Sequence, residues 1–303
     1  MEFEIVTEGL QFPEGSIAMA DGSIILVEMR RQTLSRVWPD GRIEVVAELG
    51  GGPNGAAIGP DGAVYVTNNG GFCWSDEGGF SMPSGAADDY RTGSIQRVDL
   101  ATGASTTLYE SCEGKQLRGP NDIVFDRSGG FWFTDLGKIG QEQLDIGHIL
   151  YAKPDGSSIR RMRSGLFGPN GIGLSPDEAR VYTAESYTSR VWSFAIEAPG
   201  VLAQEKEPGQ APVVLGPLPG YQPLDSLAIE ADGKVCVATI MNGGISIFDP
   251  AGGVEHVGFP DPVVTNICFG GADMRDAWIT ASGTGKLFKC RWPRPGLRLN
   301  FNA

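Results

Sequence analysis

Histidine is nearly missing from this chain: only His148 and His256 occur in 303 residues, both inside strand-like segments. That scarcity disfavours hydrolases that relay protons through histidine, and no His-Glu-x-x-His zinc motif is present. A serine nucleophile of the Gly-x-Ser-x-Gly kind has no seat either. Positive charge is also short, with 24 Lys and Arg against 37 Asp and Glu, a net charge of -13. Nucleic acid is therefore not an expected partner, because phosphate binding needs clustered cations to release counterions. The plain reading of the charge is solubility. No apolar run approaches the roughly 20 residues that cross a bilayer, and Met1-Glu2-Phe3-Glu4-Ile5 lacks the basic flank and apolar core of a signal peptide. The five cysteines include no Cys-x-x-Cys pair, and Cys236, Cys268 and Cys290 fall in apolar runs as small core residues. A cytoplasmic protein with reduced thiols and no membrane partner is expected. No long amphipathic helix can be found.

What the chain does have is glycine, 44 residues of it, with 20 proline and no collagen-like period. That suits many tight turns. Six places also share one short pattern: Phe12-Pro13-Glu14-Gly15, Gly52-Pro53-Asn54-Gly55, Gly119-Pro120-Asn121-Asp122, Gly168-Pro169-Asn170-Gly171, Pro223-Leu224-Asp225-Ser226 and Val264-Thr265-Asn266-Ile267. Each sets one oxygen-bearing side chain at the head of a short apolar run, and seven residues later comes a turn such as Asp21-Gly22 or Asp232-Gly233. Six copies with one offset are an internal repeat.

Within each unit, short β-rich runs alternate with turns, as in a four-stranded meander. The first unit reads Ser23 to Glu28, Leu34 to Trp38 and Ile43 to Leu49 after its anchor. The sixth has Asp276 to Ala281 and Gly285 to Arg291 but no fourth strand before Pro293, and the unmatched Glu2 to Thr7 can supply it. The expected fold is all-β: a six-bladed β-propeller over residues 1–303, closed by its N-terminal strand. Closure removes an exposed sheet edge. Unit two carries an insertion from Asn69 to Thr92, with a turn expected at Met82-Pro83, that reads either as a mobile loop or as a cover built on Phe72, Trp74, Phe80 and Tyr90. Leu136 to Gly147 is a smaller insertion, and Glu197 to Tyr221 reads as a plain surface excursion.

In a propeller the six anchors meet at one mouth of the central channel. They bring two carboxylates and four amides, a set that suits a hard divalent cation such as Ca²⁺ or Mg²⁺. The alternative is that Asn-Gly and Asp-Ser merely form turns. Glu14 argues against it, being a poor turn former.

These segments, together with Thr265-Asn266-Ile267-Cys268-Phe269-Gly270-Gly271 near the end, resemble the gluconolactonase or senescence marker protein (regucalcin) family. The resemblance implies a propeller that holds one divalent metal and hydrolyses a small-molecule lactone. It implies metal ligation by Glu14, Asn170 and Asp225, contact of Asn121 with metal or substrate, and proton transfer by Asp225. An Arg often stands two residues before the Asn121 position in the family; here that place is Gly119, and Arg118 is displaced by one. Arg118 and Asp135 are candidates for substrate binding, Asp135 alternatively for capping the loop that follows it. Ca²⁺ is the first expectation, while oxygen ligands also admit Mg²⁺, Mn²⁺, Fe²⁺ or Zn²⁺.

The chemistry implied is Lewis-acid hydrolysis, with the carbonyl oxygen drawn to the ion and water attacking the carbonyl carbon. Asp225 or a hydroxide held by the ion would be the base. Two other readings stay open: a phosphotriesterase like diisopropyl-fluorophosphatase, and a non-catalytic propeller with a structural ion.

Overall fold

The six apolar runs after the anchors form the six innermost strands: Pro13–Ala18, Pro53–Ile58, Pro120–Phe125, Pro169–Leu174, Leu224–Ile229 and Val264–Gly270. They touch one another in ring order and close around a central channel. In this computed structural model, which describes residues 1–140, 142–204 and 212–302, each inner strand begins one antiparallel blade of a six-bladed propeller. The expected closure holds, since Phe3–Glu8 pairs with Lys286–Arg291 and becomes the outermost strand of the sixth blade. Second strands such as Ile24–Glu28 and Phe131–Asp135 are buried throughout because blades pack on both their faces. The outermost strands alternate or face solvent.

The turn after each inner strand repeats too. Eight residues past every anchor a residue adopts a left-handed backbone: Gly22, Gly62, Gly129, Glu178, Gly233 and Met274. Glycine holds four of these places because it lacks the Cβ that makes positive φ costly.

The glycine next to the anchor has a different cause. A Cβ on Gly171 would lie 2.7 Å from the Asp225 carbonyl oxygen and 2.6 Å from the Leu227 nitrogen, both backbone atoms of the next blade. Pro-Asn-Gly here is thus a close approach between neighbouring strands, not a turn. Gly171→Ala is expected to lower stability by about 1–3 kcal/mol, the usual cost of overpacking, read as a fall in melting temperature.

Two stretches differ from expectation, and the segment past Pro293 adds a feature the repeat does not contain. The insertion in blade 2 is an ordered hairpin, Phe72–Glu77 with Phe80–Ala86. Its turn is at Gly78 and Gly79, both with positive φ, while Met82 and Pro83 lie inside the second strand opposite Ser75 and Trp74. The glycine pair supplies the left-handed turn that Met-Pro cannot. In the excursion from Glu197, Val201–Leu202 adds a short ladder to Arg190–Ala198; residues 205–211 lie outside the described ones. Past Pro293 the chain crosses the face opposite the anchors. There the Leu297 N–H donates to Ile229 O, Asn300 Nδ2 to Phe125 O, and Phe301 packs edge-on to Phe125. Leu297, Leu299 and Asn302 join inner-strand residues, among them Ile172, Leu227 and Cys268, around a small cavity of about 70 Å³. The same cavity reaches Asp122 and Asn266 beside the anchors, so the C-terminal segment closes the channel at the end away from them.

Among the described residues the only helix is the 3₁₀ turn Ser186–Thr188, and none is long and apolar enough to cross a membrane. All five cysteines are free, and Cys112, Cys236 and Cys290 are buried.

Candidate active site at the channel mouth

A β-bulge interrupts the pairing of every inner strand at or beside its anchor, between Glu14 and Ile17, Pro53 and Ala56, Pro120 and Ile123, Pro169 and Ile172, Leu224 and Leu227, and Val264 and Asn266. A bulge re-aims the side chains beside it. Hydroxyls then fix the ring. Thr67 Oγ1 in blade 2 donates to the Asn121 carbonyl in blade 3, Thr134 Oγ1 in blade 3 to the Asn170 carbonyl at 2.6 Å, and Ser186 Oγ in blade 4 to Leu224 O at 2.5 Å. In blade 6, Ser282 Oγ reaches Pro13 O of blade 1 at 2.5 Å. Each of these four contacts ties the start of one inner strand to the blade before it.

Carboxylates at the ends of second strands secure the loops that enter the inner strands. Glu28 accepts the Gln11 N–H, Asp135 those of Arg118, Gly119 and Gly137, and Glu185 that of Phe167. Asp135 therefore spends both carboxylate oxygens on backbone and holds the Arg118–Gly119 approach to Asn121. Its bond from the Gly137 N–H is the contact that capping of the following loop calls for. Asp135→Ala would strand three amides and is expected to cost about 3 kcal/mol or more of stability, measurable by denaturant unfolding. Arg118 pairs through Nε with Asp145 at 2.8 Å and lies over the Tyr90 ring. It stands on the rim, partly exposed, with Nε tied to Asp145.

Glu14, Asn121, Asn170 and Asp225 are all buried at the inner ring. Glu14 and Asp225 come from blades 1 and 5, which are not neighbours, yet each carboxylate feels the other's charge. Burial, with Asp225 second, holds Glu14 well above the ordinary carboxylate range. Burial also pushes Asp225 up to about 7, opposed by a hydrogen bond from Asn170 and reinforced by the charge of Asp122. Glu14 accepts hydrogen bonds from the Gly15 N–H at 3.1 Å and from the Thr265 hydroxyl.

The amide oxygens show what this site lacks. Oδ1 of Asn54, Asn121 and Asn170 is buried in each case with no hydrogen-bond partner. An orphaned buried acceptor costs free energy, and three on one ring point to a shared missing donor or cation. Asn266 is the exception, since its Oδ1 accepts from Ser16 Oγ at 2.8 Å. Among the described residues no three His, Cys, Asp or Glu side chains converge as a metal centre by themselves, so amide oxygens would have to complete one. An all-oxygen set of carboxylates and amides fits a hard cation.

Sequence reading passed over Asp122. It occupies the place that glycine holds in blades 1, 2 and 4, and its carboxylate turns into the channel. There it accepts the Ile123 and Ile172 N–H groups at 2.9 and 3.1 Å, plus that of Leu227. Burial pushes it up to about 7. The signal was present as the one Asn-Asp among Asn-Gly copies. His148 and His256 sit in blade strands, and burial lowers both below the usual histidine range.

The sequence model described as the SMP-30/Gluconolactonase/LRE-like region matches residues 12–283. A gluconolactonase of Zymomonas mobilis is 26% identical over 297 residues, 88% of this chain and 75% of that one. The lactonase drp35 of Staphylococcus aureus (strain bovine RF122 / ET3-1) is 28% identical over 251 residues, 82% and 69% of the two chains. Among solved structures, a gluconolactonase of Xanthomonas campestris superposes with a TM-score of 0.75 at 22% identity, covering 96% of this chain and 89% of that one. A calcium-binding regucalcin of Agrobacterium tumefaciens gives 0.72 at 17%, covering 97% of each. The two structural likenesses speak for the fold.

Proposed function

From the premise that the chain belongs to the SMP-30/gluconolactonase/LRE-like family, we propose that it hydrolyses lactones with the help of one divalent cation at the channel mouth. The observation that carries this reading is the ring of orphaned amide oxygens on Asn54, Asn121 and Asn170 beside the mutually repelling carboxylates of Glu14 and Asp225. A bound cation would relieve both. Glu14, Asn170 and Asp225 would hold it, with Asn121 facing it or the substrate. Ca²⁺ suits that donor set best. When bound, the ion supplies a Lewis acid that polarises the lactone carbonyl.

Asp225 is the proposed base. A positive charge beside it would bring its pKa down from about 7, so it is ionised at neutral pH and can accept a proton from the attacking water. As the bond between carbonyl carbon and ring oxygen breaks, that proton passes to the departing alkoxide and a hydroxy acid results. The Asn170 amide orients the Asp225 carboxylate by hydrogen bonding to it. The C-terminal segment over the far end of the channel leaves the anchor mouth as the approach for substrate and water.

A proton-release assay over sugar, aliphatic and aromatic lactones tests the proposal. Hydrolysis of at least one class is expected. No turnover of any lactone by protein that demonstrably binds a divalent ion would refute it.

A further inference from the structure

Lys138, in the loop after the second strand of blade 3, is almost wholly buried. Its Nζ donates to Gly71 O at 3.0 Å and Asn69 Oδ1 at 3.3 Å, both neutral. It also lies 3.8 Å from the centre of the Phe72 ring and 4.8 Å from that of Tyr90. Among the described residues its third N–H has no oxygen partner and no carboxylate pairs with it; Asp135 acts on it only as a more distant charge. Burial accordingly lowers its pKa to about 7. A buried cation without a counter-ion is costly and uncommon.

Its place gives that cost a purpose. Asn69, which accepts from Nζ, donates its own N–H to Gly52 O at 2.8 Å, two residues before Asn54. Lys138 thus stands on the anchor mouth, where blades 2 and 3 meet. Across that mouth the hairpin brings Phe72, Trp74 and Met82 against Phe12, Met29 and Val263, with Phe12 and Trp74 rings 5.0 Å apart. Phe12 and Val263 lead into the anchors of blades 1 and 6. The mouth is therefore flanked on this side by an apolar and aromatic cluster and by one buried lysine whose Nζ meets only neutral oxygens and ring faces.

We infer that Lys138 is the anion-binding group of a substrate subsite, and that the substrate is a lactone with an apolar body bearing a carboxylate. The Lys138 ammonium takes the carboxylate, the ring of Phe12, Met29, Trp74 and Met82 covers the apolar part, and the lactone carbonyl reaches the anchors. The inference rests on the lactonase reading, and the experiment separates the two.

Two aryl-substituted γ-lactones, alike except that one bears a free carboxylate and the other its methyl ester, are compared on the ion-loaded protein. The comparison covers wild type, Lys138→Met and Lys138→Arg. Binding of the matching cyclic ether carboxylate, which cannot be hydrolysed, is followed by calorimetry. The wild type should favour the acid over the ester, and the ratio of their kcat/KM values should fall about 10- to 100-fold in Lys138→Met and recover in Lys138→Arg. The ether carboxylate should bind wild type and not Lys138→Met. If acid and ester decline together in Lys138→Met, or wild type ignores the carboxylate, Lys138 only fastens the hairpin and the subsite is wrong. Lys138-dependent binding of the ether without turnover of either lactone would uphold the subsite and discard the lactonase. Melting curves on both variants confirm folding. If Lys138→Met does not fold, the wild-type preference between acid and ester, and its retention in Lys138→Arg, decide the matter.

Discussion

Replacing Asp225 by Asn is expected to lower kcat about a thousandfold, the middle of the range for loss of a general base, without unfolding the protein. Asn keeps the shape of Asp225 and retains an oxygen for the Asn170 amide that now bonds the carboxylate. It removes a buried negative charge that Asp122 and Glu14 repel, so the melting temperature of ion-free protein should hold or rise. Turnover within tenfold of wild type would remove Asp225 from the chemistry and leave another group as base. A loss of activity matched by a collapse in melting temperature would mean that the side chain supports the fold instead.

Withdrawal of the divalent ion should abolish turnover and also expose a pH dependence of stability. Asp122 and Asp225 are both raised from 3.8 to about 7 by burial in the ion-free fold. Between those values the folded protein holds protons that the unfolded chain has released, so stability declines as pH rises through that window. A carboxyl moved from 3.8 to about 7 accounts for about 4 kcal/mol between its charge states, and Glu14 acts in the same direction. Stripped protein is therefore expected to melt higher at pH 5 than at pH 8. Adding back the ion should raise the melting temperature more at pH 8, where the carboxylates are ionised and bind it best. A stripped protein that melts higher at pH 8 would mean that burial does not hold these carboxyls above their ordinary range as described.

Much of this architecture was legible in the chain because a propeller is a repeat. Six apolar runs with one anchor-to-turn offset locate the inner strands, and the gap after Lys286–Arg291 calls for the strand at Phe3–Glu8. The ring of Glu14, Asn121, Asn170 and Asp225 follows from the same periodicity. What broke the repeat was harder to read. Asp122 stands where other copies have glycine, and only the register of blade 3 against blades 4 and 5 shows its carboxylate meeting the Ile172 and Leu227 amides. The hairpin at Phe72–Ala86 was ambiguous since its strands do not alternate, and its order comes from distant contacts. Among them are Arg30 with Asp76, Ser81 N–H with Gly283 O, and Phe12 with Trp74. Asp135 reads equally as a substrate group or a loop cap because nothing local reveals that two of its three amide partners, Arg118 and Gly119, arrive from the strand approach before it. Lys138 gave no signal at all, for a lysine in a polar loop reads as solvated until the aromatic insertion is folded over it.

The measurement that bears most directly on the proposed centre is a titration of chelator-stripped protein with one divalent ion at a time, following heat of binding and lactone turnover in the same samples. One ion bound per chain, turnover returning in step with occupancy, and both lost in Glu14→Ala and Asn170→Ala are the results expected of an ion held by the anchor ring. Full turnover by stripped protein, or binding that survives both substitutions, would contradict it.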